Sequence, residues 1–372
     1  MTEPQRADHQ PAIEDVEVAA YTFPTDAPES DGTLTWDSTT MVLVRLQAGG
    51  RTGIGYTYAG AAAAEVVSGS LADVVRGRDA TTPAATWAAM HHAVRNLGRP
   101  GLVADAVSAV DLAAWDLHAR LLGVPLCTAV GAVHEAVPVY GSGGFTSYDV
   151  DRLCAQLAGW ADAGIDQVKM KVGRDPRADT RRVRAARDAL GVGPALFVDA
   201  NGAYSRKQAL AMAESFATCG VGWFEEPVSS DDLEGLRLVR DRAPAGMDVA
   251  AGEYGYDLPY FHRMLDAQAV DCLQADVTRC GGITALVRVA ALCDARGLDL
   301  SLHCAPQASA HVATALWHLR HLEYFHDHVR IERLAFDGVL EPQPGGVLIP
   351  DRDRPGHGLT VRDADIEEHR VR

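Results

Sequence analysis

Between Asp15 and Tyr58 apolar and polar residues alternate with a period of two: DVEVAAYTF, then MVLVRLQ, then IGYTY, with a polar loop DAPESDG and a GGRTG turn between them. That period puts successive side chains on opposite faces of a strand, so the stretch predicts a small antiparallel sheet. Alanine-rich segments with helical spacing follow at 61–75, 84–97 and 102–122. Strands followed by helices predict an α+β first domain over residues 12–135, behind a loose polar tail at 1–11.

From Val137 the rhythm changes. Short apolar runs at 137–140, 167–172, 195–200, 222–226, 248–253, 269–276, 298–303 and 322–325 alternate with amphipathic stretches such as DTRRVRAARDAL and GITALVRVAALCDARG. Eight βα repeats of about 25 to 30 residues predict a (β/α)8-type barrel over residues 136–335. The Pro- and Gly-rich segment 336–372 is too long for a tail and is expected to return to the first domain.

Composition narrows the function. Hydrophobic residues are 47% and charged residues 23% of the chain, which is ordinary for a globular protein. A net charge of -16 repels phosphate backbones and anionic bilayers, and no apolar run is long enough to span a membrane, so neither nucleic acid nor membrane is expected as a partner. The seven cysteines are scattered without CxxC pairs, and the polar N-terminal stretch lacks signal-peptide features. Both point to reduced thiols and a cytoplasmic location. Of 34 basic residues only Lys169, Lys171 and Lys207 are lysines. Arginine stays protonated near neutral pH, whereas lysine can be tuned to release its proton, which singles out the pair at 169 and 171.

Barrel enzymes carry their chemistry at the carboxyl ends of the strands. Lys169 and Lys171 point to one side of the second strand, and Asp199, Glu225, Glu253, Asp276, His303 and Glu323 stand at or near the ends of the third to eighth. One such acid is commonly a helix cap or a surface ion-pair partner. Asp199, Glu225 and Glu253, however, are 26 and 28 residues apart, one repeat each, so the barrel sets three carboxylates side by side. Such a cluster asks for a hard divalent cation, Mg²⁺ or Mn²⁺. Asp276 precedes His303 by 27 residues and reaches its ring, which predicts an acid/base dyad. Lys171 faces that dyad, and Lys169 and the metal beside it are expected to draw its pKa down from ~10.4 toward neutrality.

The KMK of 169–171, VDANG of 198–202, WFEEP of 223–227, AAGE of 250–253, Asp276 with the VTRCGGIT after it, SLH of 301–303 and HLEYF of 321–325 together resemble the enolase superfamily, mandelate racemase subgroup. The first domain, with DLAAWDLHARLLGVPL at 111–126, resembles that family's capping domain. The resemblance implies Asp199, Glu225 and Glu253 as Mg²⁺ ligands, Lys171 and His303 as opposed acid/base catalysts with Asp276 behind the histidine, Lys169 beside the substrate carboxylate, Glu323 as a partner of that carboxylate, and Asn201 near the substrate hydroxyl. The muconate-cycloisomerase branch carries a lysine near the end of strand six, and this chain has none after Lys207.

The expected reaction is Mg²⁺-dependent removal of the proton α to a carboxylate through a metal-stabilised enediolate. Dehydration of an acid sugar to a 2-keto-3-deoxy acid is favoured, with racemisation or epimerisation of an α-hydroxy acid as the alternative. A non-catalytic binding protein should have lost part of the charged rim, and none is lost. A zinc hydrolase would want an HxH on the first strand, where VPVYGS stands, and the His326-Asp327-His328 triplet reads as a polar rim. The expected partner is a small carboxylate, and the expected assembly a homo-oligomer. Specificity is expected from loops 21–36 and 53–59, with an aromatic lid of Tyr21, Phe23, Trp36, Tyr56 and Tyr58, and from Ser142, Phe145, Tyr254 and Tyr256.

Overall fold

The computed structural model describes residues 11–372; the tail expected at 1–11 falls, apart from Pro11, outside them. Three antiparallel strands come first: β1 (Asp15–Ser30), β2 (Thr35–Ala48) and β3 (Arg51–Tyr58). The polar DAPESDG stretch does not break β1 where its composition suggested. Pairing with β2 runs on to Ser30 across an irregularity between Pro24 and Glu29, so the hairpin projects beyond the sheet.

Helices α1 (Ala62–Val66), α2 (Ala72–Val75), α3 (Pro83–Ala93), α4 (Leu102–Leu122) and α5 (Leu126–Val130) complete this capping domain, with a π turn at Val67–Leu71 where one continuous helix was expected. Helix α4 lies so close on β3 that a Cβ at Gly55 would stand 2.2 Å from the Ala109 carbonyl oxygen. Only glycine permits that approach.

Eight parallel strands, β4 (Val137–Gly143), β5 (Gln167–Lys171), β6 (Ala195–Asp199), β7 (Val221–Glu225), β8 (Asp248–Ala251), β9 (Cys272–Ala275), β10 (Asp299–Leu302) and β11 (Leu319–Phe325), close into a barrel when β11 pairs with β4. Each is followed by a helix: α6 (Val150–Asp162), α7 (Pro176–Leu190), α8 (Arg206–Ala217), α9 (Leu233–Arg242), α10 (Leu258–Asp266), α11 (Gly282–Asp294), α12 (Pro306–Ala313) and α13 (His326–Ala335). Tyr140, Phe197, Trp223, Ala250 and Cys272 fill one layer inside the barrel, and the ring of His321 packs against three of them.

The cap is tied to the barrel by buried polar contacts. Asp111 of α4 accepts from Thr284 N (2.8 Å) and Oγ1 (2.7 Å) at the start of α11, and Thr57 Oγ1 donates to the Thr278 carbonyl at 2.8 Å. The chain after Phe336 adds β12 (Phe336–Asp337), β13 (Val347–Leu348), which pairs antiparallel with β4, and β14 (Thr360–Val361), which pairs with β12. Its last residues run beside β1, where Ala20 and residues 371 and 372 exchange backbone hydrogen bonds of 2.9 to 3.3 Å.

Candidate active site

The parallel register carries the charged residues to one end of the barrel. Lys171 is level with Asp199, and Asp199 with Glu225, across adjacent strands. Glu253 sits two residues past β8, behind Gly252, whose φ of 143° and contact of 2.0 Å between a would-be Cβ and the Gln274 carbonyl oxygen admit no side chain. Asp276 and His303 each stand one residue past their strands.

The nine predicted residues come together at this rim, and all are buried. Oxygens of Asp199, Glu225 and Glu253 lie within 4.8 Å of one another. Lys169 Nζ donates to both Glu225 carboxylate oxygens at 2.7 Å and stands 2.8 Å from Glu323 and 3.4 Å from Asp199. Burial pulls the Lys169 ammonium down in pKa, but the facing Glu225 and Glu323 carboxylates outweigh it and hold the group well above the ordinary lysine range. Burial, with Asp199 adding to it, pushes Glu225 up to about 7 despite Lys169.

Lys171 departs from expectation. Its Nζ lies 2.5 Å from Asp199 Oδ2. Burial and Lys169 press its pKa down as anticipated, yet Asp199 and Glu253 win, and the shift is upward rather than toward neutrality. Contact with an acid outweighs proximity to a like charge that is itself neutralised by Glu225 and Glu323.

His303 Nδ1 is 2.7 Å from Asp276 Oδ2, while Asp276 Oδ1 accepts from Thr278 N at 2.7 Å and Oγ1 at 2.6 Å. Burial disfavours the imidazolium, but Cys304, Glu253, Glu323 and Asp276 raise it well above the usual histidine range. The His303 Nε2 edge faces Glu253 at 3.3 Å and Glu323 at 3.5 Å. Asn201 takes a left-handed conformation (φ 45°) that lets its backbone N–H donate to Asp199 Oδ1 at 2.9 Å, and its own Oδ1 is buried without a partner.

These groups open into a cavity of about 460 Å³ roofed by the cap. The roof corrects the predicted aromatic lid. Trp36 and Tyr58 line the cavity with Asp31, Ser38, Thr39 and Thr40, whereas Tyr21 and Phe23 belong to the core of the cap and Tyr56 is buried beneath, donating to Glu332 Oε1 at 2.6 Å. Ser142 and Phe145 are wholly buried outside this lining, and Tyr256 lines a neighbouring cavity joined through Tyr254 and Asn201. The His326–His328 triplet is not a polar rim: Asp327 and His328 are buried, the His328 ring stacks on Tyr58 with centroids 3.5 Å apart, and burial depresses its pKa to about 3.

Ser38, Thr39 and Thr40 of the roof lie outside the loops expected to set specificity, and Arg279 and Cys304 are lining residues that no sequence pattern singles out. Arg279 stands 3.6 Å from Glu253 and 3.7 Å from Asp276, one helical turn after the latter. Cys304 lies beside His303, a position that its adjacency in sequence does not by itself predict.

Can the acid cluster hold a cation? Its donors are all carboxylate oxygens, and Glu253 Oε2 is buried without a hydrogen-bond partner, so the set fits a hard divalent ion. Residues 14–131 match the mandelate racemase/muconate lactonizing enzyme N-terminal domain, and residues 152–365 the enolase C-terminal domain-like family. The chain belongs to the mandelate racemase/muconate lactonizing enzyme family of the enolase superfamily. Within that family it is 33% identical over 332 residues to 3,6-anhydro-α-L-galactonate cycloisomerase from Streptomyces coelicolor (86% of this chain, 89% of the relative). It is 30% identical over 312 residues to L-talarate/galactarate dehydratase from Salmonella typhimurium (82% and 76%). A solved mandelate racemase/muconate lactonizing enzyme-like protein from Rubrobacter xylanophilus superposes with a TM-score of 0.95 at 58% identity, covering 97% of this chain and all of that one. A racemase from Streptomyces coelicolor with bound magnesium gives 0.90 at 31% identity, covering 96% of this chain and all of that one. The mandelate racemase family therefore supplies dehydratases, cycloisomerases and racemases among this chain's relatives.

Proposed function

We propose that the chain dehydrates an acid sugar to a 2-keto-3-deoxy acid, starting with removal of the proton α to the carboxylate. One observation carries the reading: Lys171 on β5 and the Asp276-held His303 after β10 approach the same acid cluster from different sides of the barrel. Asp199, Glu225 and Glu253 would hold Mg²⁺, which supplies fixed positive charge against the negative charge that grows on the substrate carboxylate. Lys169, with its charge locked by Glu225 and Glu323, steadies the same carboxylate. Lys171, once it has shed the proton that Asp199 favours, accepts the α-proton at Nζ. His303 delivers a proton from Nε2 to the departing β-hydroxyl, and Asp276 fixes the ring for that transfer. Asn201, Ser38, Thr39 and Thr40 offer the hydroxyl and amide groups that a polyhydroxylated chain needs, and several relatives act on such substrates.

In this reading residues 12–135 close the site, 136–335 carry the chemistry and 336–372 brace the cap. The seven free cysteines and the net charge of -16 support a cytoplasmic enzyme that binds no nucleic acid. The test is a mono- and diacid sugar library with Mg²⁺, read for 2-keto acid. Racemisation, the second reading, is supported by the magnesium-bound racemase relative and would instead exchange the α-proton with deuterated water and yield no keto acid.

A further inference from the structure

Cys304 follows His303 directly, and neighbours along a strand point to opposite faces. Strand β10, however, has ended at Leu302, and Cys304 and Ala305 are both left-handed, with φ of 50° and 44°. The turn brings the thiol round to the cavity beside the imidazole. Its Sγ lies 3.3 Å from His303 Nε2 and 3.3 Å from Glu323 Oε2, and Nε2 is 3.5 Å from that same oxygen. All three residues are buried, and all three line the cavity.

Donors at those separations mark out one face of a tetrahedron. A zinc ion bound through nitrogen, oxygen and sulfur at ~2.0–2.3 Å has tetrahedral edges of about 3.3–3.6 Å. The surroundings aim the donors at one point. Asp276 occupies Nδ1 at 2.7 Å, so Nε2 is the ring nitrogen that faces Sγ and Oε2 and becomes the ligand once an ion displaces its proton, the carboxylate–histidine arrangement that orients metal-binding imidazoles. Lys169 stands 2.8 Å from the other Glu323 oxygen, Oε1, while Oε2 accepts from Cys304 N at 3.2 Å and has its second lone pair for the ion.

This donor set differs in kind from the all-oxygen cluster of Asp199, Glu225 and Glu253. Thiolate with imidazole selects borderline-soft ions over Mg²⁺. We propose that His303, Cys304 and Glu323 form a second metal site, for Zn²⁺ and ions of its class, in the wall of the cavity. Binding releases two protons to solvent, one from the Cys304 thiol and one from His303 Nε2, and forms bonds to Sγ, Nε2 and Oε2 without any change of oxidation state. An ion there takes the lone pair through which His303 would transfer its proton, so zinc inhibits a magnesium enzyme; this consequence alone rests on the proposed function.

The probe is Cd²⁺, added to the full-length protein in saturating Mg²⁺ and followed by the ultraviolet thiolate-to-cadmium charge-transfer band. One ion per chain should bind with that band, Cys304→Ser should abolish it, and Asp276→Asn should weaken binding by ~10–100-fold. Zinc calorimetry in two buffers should report about two protons released per ion, one from the thiol and one from the imidazole. The absence of a band in the unmodified protein, or a band of unchanged strength in Cys304→Ser, overturns the proposal. The first of these needs no variant to fold. None of the readouts needs turnover, so a failure here is distinct from a failure of the proposed reaction.

Discussion

The rim of the barrel and the underside of the cap face each other across one cavity but are built in opposite ways. On the rim every charged group stands on or just beyond a strand whose register is fixed by two neighbours, and the groups bind one another: Lys169 to Glu225 and Glu323, Lys171 to Asp199, His303 to Asp276. Beneath the cap, Trp36 and residues 38–40 come from one extended hairpin, anchored by few polar contacts, such as Trp36 Nε1 to Glu29 at 2.8 Å and Thr39 to Asp327. A mutually bonded rim preorganises charge, and a single hairpin shapes what may enter. Rim substitutions should therefore lower turnover, and cap substitutions should weaken substrate binding or the docking of the cap itself.

The sharpest break is Glu225→Gln. It keeps the shape but removes the charge shared by Lys169 and the metal cluster, so turnover should fall below detection at any Mg²⁺ concentration while the circular dichroism spectrum is unchanged. Activity that survived exhaustive chelation would sink the metal assignment.

Next come the lysines. Lys171→Arg keeps a cation but removes a usable proton acceptor, and kcat should drop by ~10²–10⁴-fold. Lys207, exposed in the first turn of α8, needs only to be charged, so Lys207→Arg should leave kcat unchanged. Equal activity of the two variants would reduce the role of Lys171 to charge alone.

A third test addresses the joint between the regions. Tyr56 OH accepts from Ala308 N at 3.1 Å and donates to Glu332, whose carboxyl burial pushes up to about 8 against that hydrogen bond. Tyr56→Phe should destabilise the fold by about 1–3 kcal/mol. A carboxyl whose folded pKa lies above its unfolded value of 4.5 contributes stability that is full below that value and lost as pH rises through about 8. Losing the Tyr56 donor moves the folded value higher still, so the deficit in thermal unfolding should widen from pH well below 8 to pH above it.

The mildest effect belongs to the roof. Trp36→Ala should raise KM about tenfold, equivalent to ~1.4 kcal/mol, with kcat within a factor of about three. A collapse of kcat instead would mean that the hairpin takes part in the chemistry, and the contrast between the regions would fail.

The same contrast explains what could be read before the structure. Intervals of 26, 28, 23 and 27 residues place Asp199, Glu225, Glu253, Asp276 and His303 because a βα repeat converts sequence spacing into position around a barrel. Nothing equivalent operates in the cap. Tyr21, Phe23 and Tyr56 look like lid residues because they are aromatic, but Tyr21 and Phe23 pack beside Arg370 and His369, and Tyr56 against Phe336 and Glu332, neighbours that come from distant parts of the chain. His328 looks solvent-facing in a His-Asp-His triplet until Tyr58 is stacked on it. The upward shift of Lys171 depends on a contact of 2.5 Å that spacing cannot supply, and Cys304 enters the cavity only because two successive residues are left-handed. Cycloisomerisation, the activity named for the Streptomyces coelicolor relative, is not among the outcomes that the residues suggest; the missing lysine near the end of strand six separates the chain from the muconate-cycloisomerase branch and says nothing of that relative's reaction.

The backbone bonds between Ala20 and residues 371 and 372 bear on how the molecule is made. Strand β1 has β2 on one side, and its other side meets chain that a ribosome delivers only after the entire barrel. Throughout translation that flank of the nascent cap is an unsatisfied sheet edge, the kind of surface on which foreign strands nucleate aggregates. A chain interrupted ahead of residue 370 should therefore aggregate more readily than the full sequence even with every residue of the rim intact, because Ala20 of β1 lacks its backbone partners.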